Sequence, residues 1–360
     1  MIITNQQRDW GEDLLRLGGQ QGAKWLAGAI GGGTLLLIVL FIIFMAAIAV
    51  FLGGGLGDGQ GPPIGTALSR PALWLGDPAV IQSGMPNVVI TAVMAHESGG
   101  RVLAVNYNCT DGTAAPQPCE QTDGSKTLSE DAGLMQINSG GWPVPEDARK
   151  WQSLGIAQDP FDPARNIPAG IAELQGDVAK YGYLEYALEA YNSGFGGFGS
   201  KDAAYAAAVR TNFSTYEAGP TLSVWSTADF AHGQWTIGRH QQVWLVVVAT
   251  GPFGPTFSVP WAPRSPKCVT KTGASGKAVT KCVPQPPEKL AGRELAFPTA
   301  VTANGQPMAL SPKDAPIWPG EDAYALQVRR PGTYRITATW PGGREATAGI
   351  TLAAREVGSP

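Results

Sequence analysis

The stretch VMAHESGGR, residues 93–101, decides how the middle of the chain folds. It ends an apolar segment in which hydrophobic residues recur at the spacing of one helix face, and the Gly99–Gly100 pair would stop that helix. Glu97 is therefore expected at the end of a helix that packs into a core. A carboxyl group held half-desolvated at such an edge can stay protonated near neutral pH, as a general acid requires. A solvated glutamate at a helix end is the alternative that this stretch alone leaves open.

Three further motifs follow in the sequence, and they are GLMQI at 133–137, FDPARNIPAG at 161–170 and EAYNSG at 189–194. Together with HES at 96–98, and in this order, they make residues 83–215 resemble the soluble lytic transglycosylases of the goose-type lysozyme superfamily. The resemblance implies a lysozyme-like, mainly α-helical domain. Within the second motif, Asn166 and Ile167 are expected to cap and begin a helix, with Asp162 in the turn before it.

The resemblance implies a role for each matching residue. Glu97 corresponds to the sole catalytic acid and base of the family, and the other matches are implied to contact or shape the glycan site. These substrate-binding residues are Ser98, Gly133, Leu134, Met135, Gln136, Tyr191 and Asn192. Aromatic faces and amide groups are suited to binding sugars. Leu134 and Met135 could equally be core residues.

The implied reaction is cleavage of the MurNAc–GlcNAc β-1,4 bond of peptidoglycan. In this family the glutamate protonates the glycosidic oxygen, and the C6 hydroxyl of the muramic acid then closes a 1,6-anhydro ring. A nucleophile within the substrate gains from proximity, which explains how a single carboxyl group suffices. The partner is therefore a peptidoglycan glycan strand, and no cofactor or metal ion is expected.

The segment NYNCTDGTAAPQPCEQTDGSKTLSED, residues 106–131, is longer than the family pattern leads us to expect. A hydrolytic muramidase usually needs a second carboxylate, and this segment holds several candidates. They are Asp111, Glu120, Asp123, Glu130 and Asp131. A muramidase therefore stays open as an alternative, and so does a glycan-binding structural protein without catalytic activity.

Residues 34–52 carry no charge over nineteen positions, enough for a helix of about 28 Å, close to the thickness of a bilayer core. We predict a transmembrane helix here, because the apolar part of a signal peptide is shorter and lies nearer the N-terminus. Basic residues precede this run, which favours a cytoplasmic N-terminus. The sequence thus predicts a single-pass protein of the cell membrane with its catalytic domain on the cell-wall side.

The four cysteines fall into two local pairs. Nine residues lie between Cys109 and Cys119 and thirteen lie between Cys268 and Cys282, and neither pair has the spacing or the histidine neighbours of a zinc site. We predict two disulfides. The second pair encloses β-branched residues around a Gly-rich turn, a pattern typical of a hairpin tied at its base.

The composition and the change of residue pattern along the chain predict its domain organisation. With 360 residues, 44% of them hydrophobic, the chain can fill two cores, and its net charge of −3 makes nucleic acid an unexpected partner. Strand-like patterns dominate after residue 220, and the C-terminal part resembles an immunoglobulin-like sandwich. The expected fold class is α+β multidomain: an N-terminal transmembrane helix, a mainly α-helical lysozyme-like domain and a β-rich C-terminal domain.

The domain boundaries are predicted from these changes of residue pattern along the chain. The predicted units are a cytoplasmic segment (1–30), the transmembrane helix (31–53), a flexible linker (54–69), the lytic transglycosylase domain (70–218), a β-rich connecting region with the Cys268–Cys282 hairpin (219–288) and a β-sandwich-like domain (289–360). Membrane-attached enzymes of this kind often serve a secretion or conjugation apparatus. Such a partner stays an open expectation, because nothing in the sequence identifies it.

Overall fold

The computed structural model describes residues 69–110, 114–115, 118–119, 126–193, 203–231, 233–272, 278–317 and 320–355. The predicted cytoplasmic segment, the transmembrane helix and all of the linker but Ser69 lie outside these residues. In the described part, no helix combines the length and the apolar character needed to cross a membrane. The longest, Pro163–Tyr181, has nineteen residues but carries charged side chains on one face.

The expected fold class is corrected accordingly, since its N-terminal transmembrane helix has no support in the structure. The described chain is a mixed structure in which strands are numerous, including within the region expected to be mainly helical. A short 3₁₀ helix, Arg70–Trp74, opens that region. The α-helices that follow are α1 (Pro78–Gln82), α2 (Asn87–Glu97), α3 (Arg149–Leu154), α4 (Pro163–Tyr181), α5 (Leu184–Ser193) and α6 (Ala203–Glu217).

An antiparallel sheet of four strands lies between α2 and α3, and its first three strands fall largely in the segment that the sequence marks as an insertion. Its order is β2-β1-β3-β4. Sequence analysis did not predict this sheet, because its strands are rich in Asn, Ser and Asp rather than in β-branched residues. The strands are β1 (Val105–Cys109), β2 (Ala114–Ala115), β3 (Thr127–Ala132) and β4 (Ile137–Asn138). The predicted disulfide between Cys109 and Cys119 is present and ties the end of β1 to the next part of the segment.

The described chain beyond α6 forms strands, as its strand-like residue pattern predicts. A six-stranded sheet of order β14-β13-β17-β18-β7-β6 and a four-stranded sheet of order β15-β16-β8-β5 enclose an apolar cluster that includes Val247, Ile336 and Trp340. β8 pairs with β16 across the predicted boundary at residue 288. The strands of the two sheets are β5 (Thr221–Ser226), β6 (Asp229–Ala231), β7 (Gln234–Ile237), β8 (Val243–Thr250), β13 (Ala300–Ala303), β14 (Gln306–Pro307), β15 (Ala309–Leu310), β16 (Tyr324–Val328), β17 (Gly332–Trp340) and β18 (Arg344–Ala354).

Four more strands, which lie between β8 and β13 in the sequence, form two antiparallel ribbons. They are β9 (Thr256–Ala262), β10 (Lys267–Thr272), β11 (Ala278–Val283) and β12 (Glu288–Arg293). β9 pairs with β12, and β10 pairs with β11. The predicted hairpin is thus β10–β11, and its disulfide between Cys268 and Cys282 is present.

The helical and β-rich regions share one apolar core. Trp225, Trp261 and Leu290 from the β-rich region belong to the same buried cluster as Val89 and Met94 of α2. Helix α2 is apolar on almost every side: all seven residues from 88 to 94 are buried. A helix that is hydrophobic all round needs partners on several faces, and the β-rich region supplies one of them.

The N-terminus of α2 is held by the segment that follows β12. Pro86 precedes the helix and offers no side-chain cap, but the Glu294 carboxylate accepts a hydrogen bond of 2.6 Å from the Asn87 backbone N–H. The Asn87 side chain pairs with the backbone of Leu295 in both directions, at 3.0 and 2.8 Å. A carboxylate at a helix N-terminus both satisfies an orphan N–H and complements the helix dipole. Residues about two hundred positions apart therefore fix the start of the helix.

Removing the Glu294 carboxylate tests this cap. We expect Glu294→Ala to lower the free energy of unfolding by about 1–2 kcal/mol, the usual cost of losing a helix N-cap, and Glu294→Gln to lose less because its amide oxygen still accepts. Urea denaturation of the full-length chain measures both. Glu146→Ala, at an exposed glutamate, is the matched control and should change stability by less than about 0.5 kcal/mol. Equal losses in Glu294→Ala and the control would contradict the capping role.

Candidate active site

Glu97 is the last residue of α2 and is half-buried, as the sequence predicts for a carboxyl group at the edge of a core. The hydroxyl group of Tyr205, on α6, donates a hydrogen bond to Glu97 Oε1. The Tyr205 ring is buried and meets the His96 ring edge to face, with ring centroids 4.7 Å apart. His96 thus packs against the ring of Tyr205. Tyr205 is a site residue that sequence analysis missed.

The turn of residues 133–136, between β3 and β4, lies against the end of α2 and contacts two other predicted site residues. Ser98 is buried, and its hydroxyl donates hydrogen bonds to the carbonyl oxygens of Leu134, at 2.8 Å, and Met94, at 3.1 Å. Tyr191, near the end of α5, donates from its hydroxyl to the Met135 carbonyl oxygen at 2.7 Å. Two side chains that the sequence marks as substrate contacts therefore hold this turn in place beside Glu97.

Asn166 fixes the same turn from α4. Its amide group donates to the carbonyl oxygens of Ala132 and Pro160, both at 2.9 Å, and its oxygen accepts from the Met135 N–H at 2.8 Å. The side chain is completely buried, so each of these bonds is made away from water. Gly133 sits directly against it, at φ +77°, and a Cβ there would lie 2.4 Å from the Asn166 amide nitrogen. The turn needs glycine for its backbone conformation and for space.

The expected role of Asn166 as a helix cap is therefore wrong. Helix α4 begins at Pro163, and its cap is Asp162, whose carboxylate accepts from the Ala164 N–H at 3.0 Å. Asp162 lies next to a proline at the first helical position, which is the ordinary pattern of a helix start. Asn166 is one turn further along and is free to reach the 133–136 turn. Ile167 lies within the helix and is buried.

The other residues of the GLMQ motif face inward. Leu134 and Met135 are fully buried, which is the core position that the sequence left as the equal alternative. The Gln136 amide nitrogen donates to the carbonyl oxygens of Ala104 and Gly133, both at 2.9 Å. Asn192 is half-buried and follows Tyr191 in α5. The structure thus joins Ser98 and Tyr191 to the 133–136 turn beside the end of α2, and the glycan contacts expected of the predicted residues stay predictions.

The two tyrosines beside Glu97 keep their protons. Burial, followed by the negative charge of Glu97, holds the pKa of Tyr191 and the pKa of Tyr205 well above the usual range for tyrosine. Both phenols are therefore neutral hydrogen-bond donors near neutral pH. Tyr205 can hold the glutamate in one orientation without adding a charge of its own.

Two of the five candidates for a second carboxylate lie in the described part of the chain, both on β3. Glu130 is buried on the face of the sheet that also buries Ala132, and burial, followed by the neighbouring Asp131, raises its pKa to about 6. Asp131 faces the other side and accepts hydrogen bonds from the amides of Asn108, at 3.0 Å, and Asn138, at 2.7 Å. The remaining candidates, Asp111, Glu120 and Asp123, lie outside the described residues.

Comparison with protein families identifies the class of this site. Residues 79–213 match the family model described as the transglycosylase SLT domain. No curated protein and no solved structure gives a significant match. The matched residues include α2 with Glu97, the 133–136 turn, Asn166, Tyr191 and Tyr205.

The chain thus contains a transglycosylase SLT domain at residues 79–213. This domain indicates a lytic transglycosylase, which is a glycan-cleaving lyase, and it implies peptidoglycan as the substrate. The family predicted from the four motifs is confirmed. Among the described residues, no three or more His, Cys, Asp or Glu side chains are grouped to hold a metal ion.

Loss of the Tyr205 hydroxyl tests its role in positioning Glu97. We expect Tyr205→Phe to lower kcat for peptidoglycan cleavage by about 10- to 100-fold, because hydrogen bonds to a charged group are worth about 1.5–3 kcal/mol. KM should stay within a factor of about two, since the hydroxyl is not expected to contact the glycan. Steady-state kinetics on soluble peptidoglycan fragments measures both. Tyr183→Phe, which keeps its ring contact with Tyr186, should leave kcat unchanged; an equal loss there would remove the special role of Tyr205.

The buried Glu130 carboxyl predicts a pH-dependent stability. Because its pKa rises from 4.5 to about 6 on folding, the folded state favours the protonated form. The stabilising contribution is fully present below about pH 4.5 and is lost as the pH rises through about 6. Glu130→Gln should therefore raise the free energy of unfolding at pH 8 by about 1–2 kcal/mol and change it little at pH 4, in chemical denaturation at each pH. A constant difference between the two proteins across this range would refute the assignment.

Proposed function

We propose that Glu97 is the single catalytic acid and base of this domain and that the product ends in 1,6-anhydromuramic acid. The observation that carries the proposal is the arrangement around the Glu97 carboxyl: it is half-buried, oriented by Tyr205, and backed by a turn that Ser98, Tyr191 and Asn166 all hold. A carboxyl group on such a fixed support can be kept near its productive position, which proton transfer requires.

In the proposed reaction, the Glu97 carboxyl donates its proton to the oxygen that joins MurNAc to GlcNAc, and that bond to C1 of MurNAc breaks. The C6 hydroxyl of the same MurNAc then forms a new bond to C1 as its proton passes to the Glu97 carboxylate. Glu97 ends protonated, as it began, and no water is consumed. Tyr205 stays neutral and keeps its hydrogen bond to the carboxyl group throughout.

The geometry of β3 favours ring closure over hydrolysis. A hydrolase usually needs a second carboxylate that acts on water or on C1, and the described candidates are poorly suited to this role. Glu130 faces the core, and the Asp131 carboxylate is already bound by two asparagine amides. An attacking group within the substrate needs no such partner, because its proximity is built in.

The two disulfides support a cell-wall location. All four cysteines of the chain are paired, and disulfides of this kind persist in oxidising compartments rather than in the cytosol. We propose that the domain acts on the extracytoplasmic side, where its substrate is. Its proposed use is local remodelling or opening of the wall, for example for an envelope-spanning secretion or conjugation apparatus.

The product of the reaction tests the proposal. We expect purified peptidoglycan digested with the full-length protein to yield muropeptides that end in 1,6-anhydromuramic acid. Mass spectrometry distinguishes them, because each is lighter by one water than its hydrolysed equivalent. Products with a free reducing end would instead show that water is the nucleophile, and the protein would be a muramidase with its second carboxylate still to be found.

Glu97→Gln is the matched control for this digestion. It keeps the shape and hydrogen-bonding capacity of the side chain but removes the titrating proton, so lysis should fall by about 100- to 10,000-fold while the protein still binds peptidoglycan. Clearance of a peptidoglycan suspension at a near-normal rate by this variant would show that Glu97 is not the catalytic acid. Loss of binding together with lysis would point to misfolding, which the melting temperature of the variant checks.

A further inference from the structure

The β9–β12 and β10–β11 pairs form one long ribbon whose two halves differ in environment. Trp261 and Leu290 in the inner half are buried in the shared core. In the outer half, every described side chain of β10 and β11 is exposed. The connections between the halves, residues 263–266 and 284–287, are rich in proline, which has no N–H to donate to a ladder. The outer half therefore projects from the body of the protein as a separate hairpin.

The β10–β11 hairpin is a two-stranded sheet that a disulfide stabilises. No other strand of the described chain pairs with β10 or β11. A two-stranded hairpin is only marginally stable in water, and a disulfide across its base restrains the strands when no third strand does. Cys268 and Cys282 are direct partners in the ladder and form that crosslink. The disulfide thus stabilises a hairpin whose described side chains belong to neither apolar core.

The hairpin and its connections carry a concentrated positive charge. Residues 263–287 contain five basic residues and no acidic one, in a chain whose net charge is −3. In the ladder, Lys267 lies opposite Val283, and Val269 lies opposite Lys281. One face therefore alternates lysine and valine, with Val269 and Val283 about half exposed, at 48% and 53%. Neither Lys267 nor Lys281 forms an ion pair with any carboxylate of the described chain.

The base of the ribbon is attached to the helices that carry the active-site tyrosines. Arg210, on α6, forms an ion pair of 2.7 Å with Glu288 of β12 and lies over the Trp261 ring, 5.0 Å from its centre. α6 also carries Tyr205, and α5, which carries Tyr191, packs on β9. These contacts fix the base of the ribbon, from which the hairpin projects, relative to the helices that carry Tyr205 and Tyr191.

We propose that the lysine face of the β10–β11 hairpin binds the carboxylate groups of the peptide stems of peptidoglycan and holds the polymer beside Glu97. The inference rests on peptidoglycan being the substrate of the domain. The stems place carboxylates at regular intervals along each glycan strand, and the exposed lysines Lys267 and Lys281, in a segment with five basic residues and no acidic one, complement them in charge. A lipid surface fits less well, because interfacial anchors use Trp, Phe or Leu, and residues 263–287 contain none of them.

The test removes the charge of the hairpin without touching the catalytic site. The variant carries Lys→Ala at Lys267, Lys271, Lys277 and Lys281 in the full-length chain with Glu97→Gln, so that the polymer is not digested during the measurement. Co-sedimentation with purified sacculi, stripped of attached phosphate polymers, should show binding about tenfold weaker than in the parent, and the difference should shrink at 0.5 M salt. A matched control replaces four exposed cations elsewhere by alanine, and these are Arg239, Lys313, Arg329 and Arg330.

Two further measurements keep the result interpretable. Replacing the same four lysines by arginine preserves the charge and should restore binding. With wild-type Glu97, the alanine variant should show a KM about tenfold higher on peptide-bearing strands and an unchanged KM on peptide-free strands. The proposal is overturned if the alanine variant and the parent bind stripped sacculi equally, if binding requires the phosphate polymers, or if the hairpin binds only anionic lipid vesicles. Lysis by Glu97→Gln would instead count against the catalytic assignment alone.

Discussion

The burial of α2 is the constraint on which the rest of the structure depends. This helix has to be apolar on nearly every side to be enclosed, yet its last residue has to reach the surface with a carboxyl group. The two requirements are met because each end of the helix is held by a different part of the chain: Glu294 and Leu295 bind its first turn, and Ser98 joins its last turn to the 133–136 turn. Glu97 therefore stands at the edge of the core, on a helix that is held at both ends.

The catalytic environment combines one ionisable acid with groups that do not ionise. The phenols of Tyr191 and Tyr205 are kept neutral by burial and by the charge of Glu97 itself. A positive group so close would hold the carboxyl group in its ionised form, whereas the proposed reaction needs the carboxyl group to donate a proton and then accept one. Neutral donors orient the group and leave both states accessible.

The sequence predicted the features that depend on neighbouring residues, such as the end of α2. It did not predict the contacts between residues that are far apart in the chain. The helix ending at Glu97 follows from apolar spacing and two glycines, and both disulfide pairings follow from cysteine spacing. Asn166 was assigned to a cap because a cap is the common local role of asparagine, but its partners are backbone groups up to 34 positions away. Tyr205 lies in an alanine-rich stretch that reads as ordinary core helix, and its bond to Glu97 spans 108 positions. The sheet of β1–β4 was missed because polar side chains obscure the alternation of apolar and polar residues that is typical of a strand. The transmembrane helix in the expected fold class rested on the length and the uncharged, apolar character of residues 34–52, which lie outside the described residues.

The shared core also bears on what counts as a domain in this chain. The family match ends at residue 213, within α6, but the structure continues without a break: the Glu217 carboxylate at the end of that helix accepts a hydrogen bond of 2.9 Å from the Arg293 N–H. Cutting the chain at the family boundary would remove Trp225 and Trp261 from the core cluster that they share with α2, and it would leave the first turn of α2 without its cap. The part of the chain that matches the family is thus smaller than the part that encloses α2.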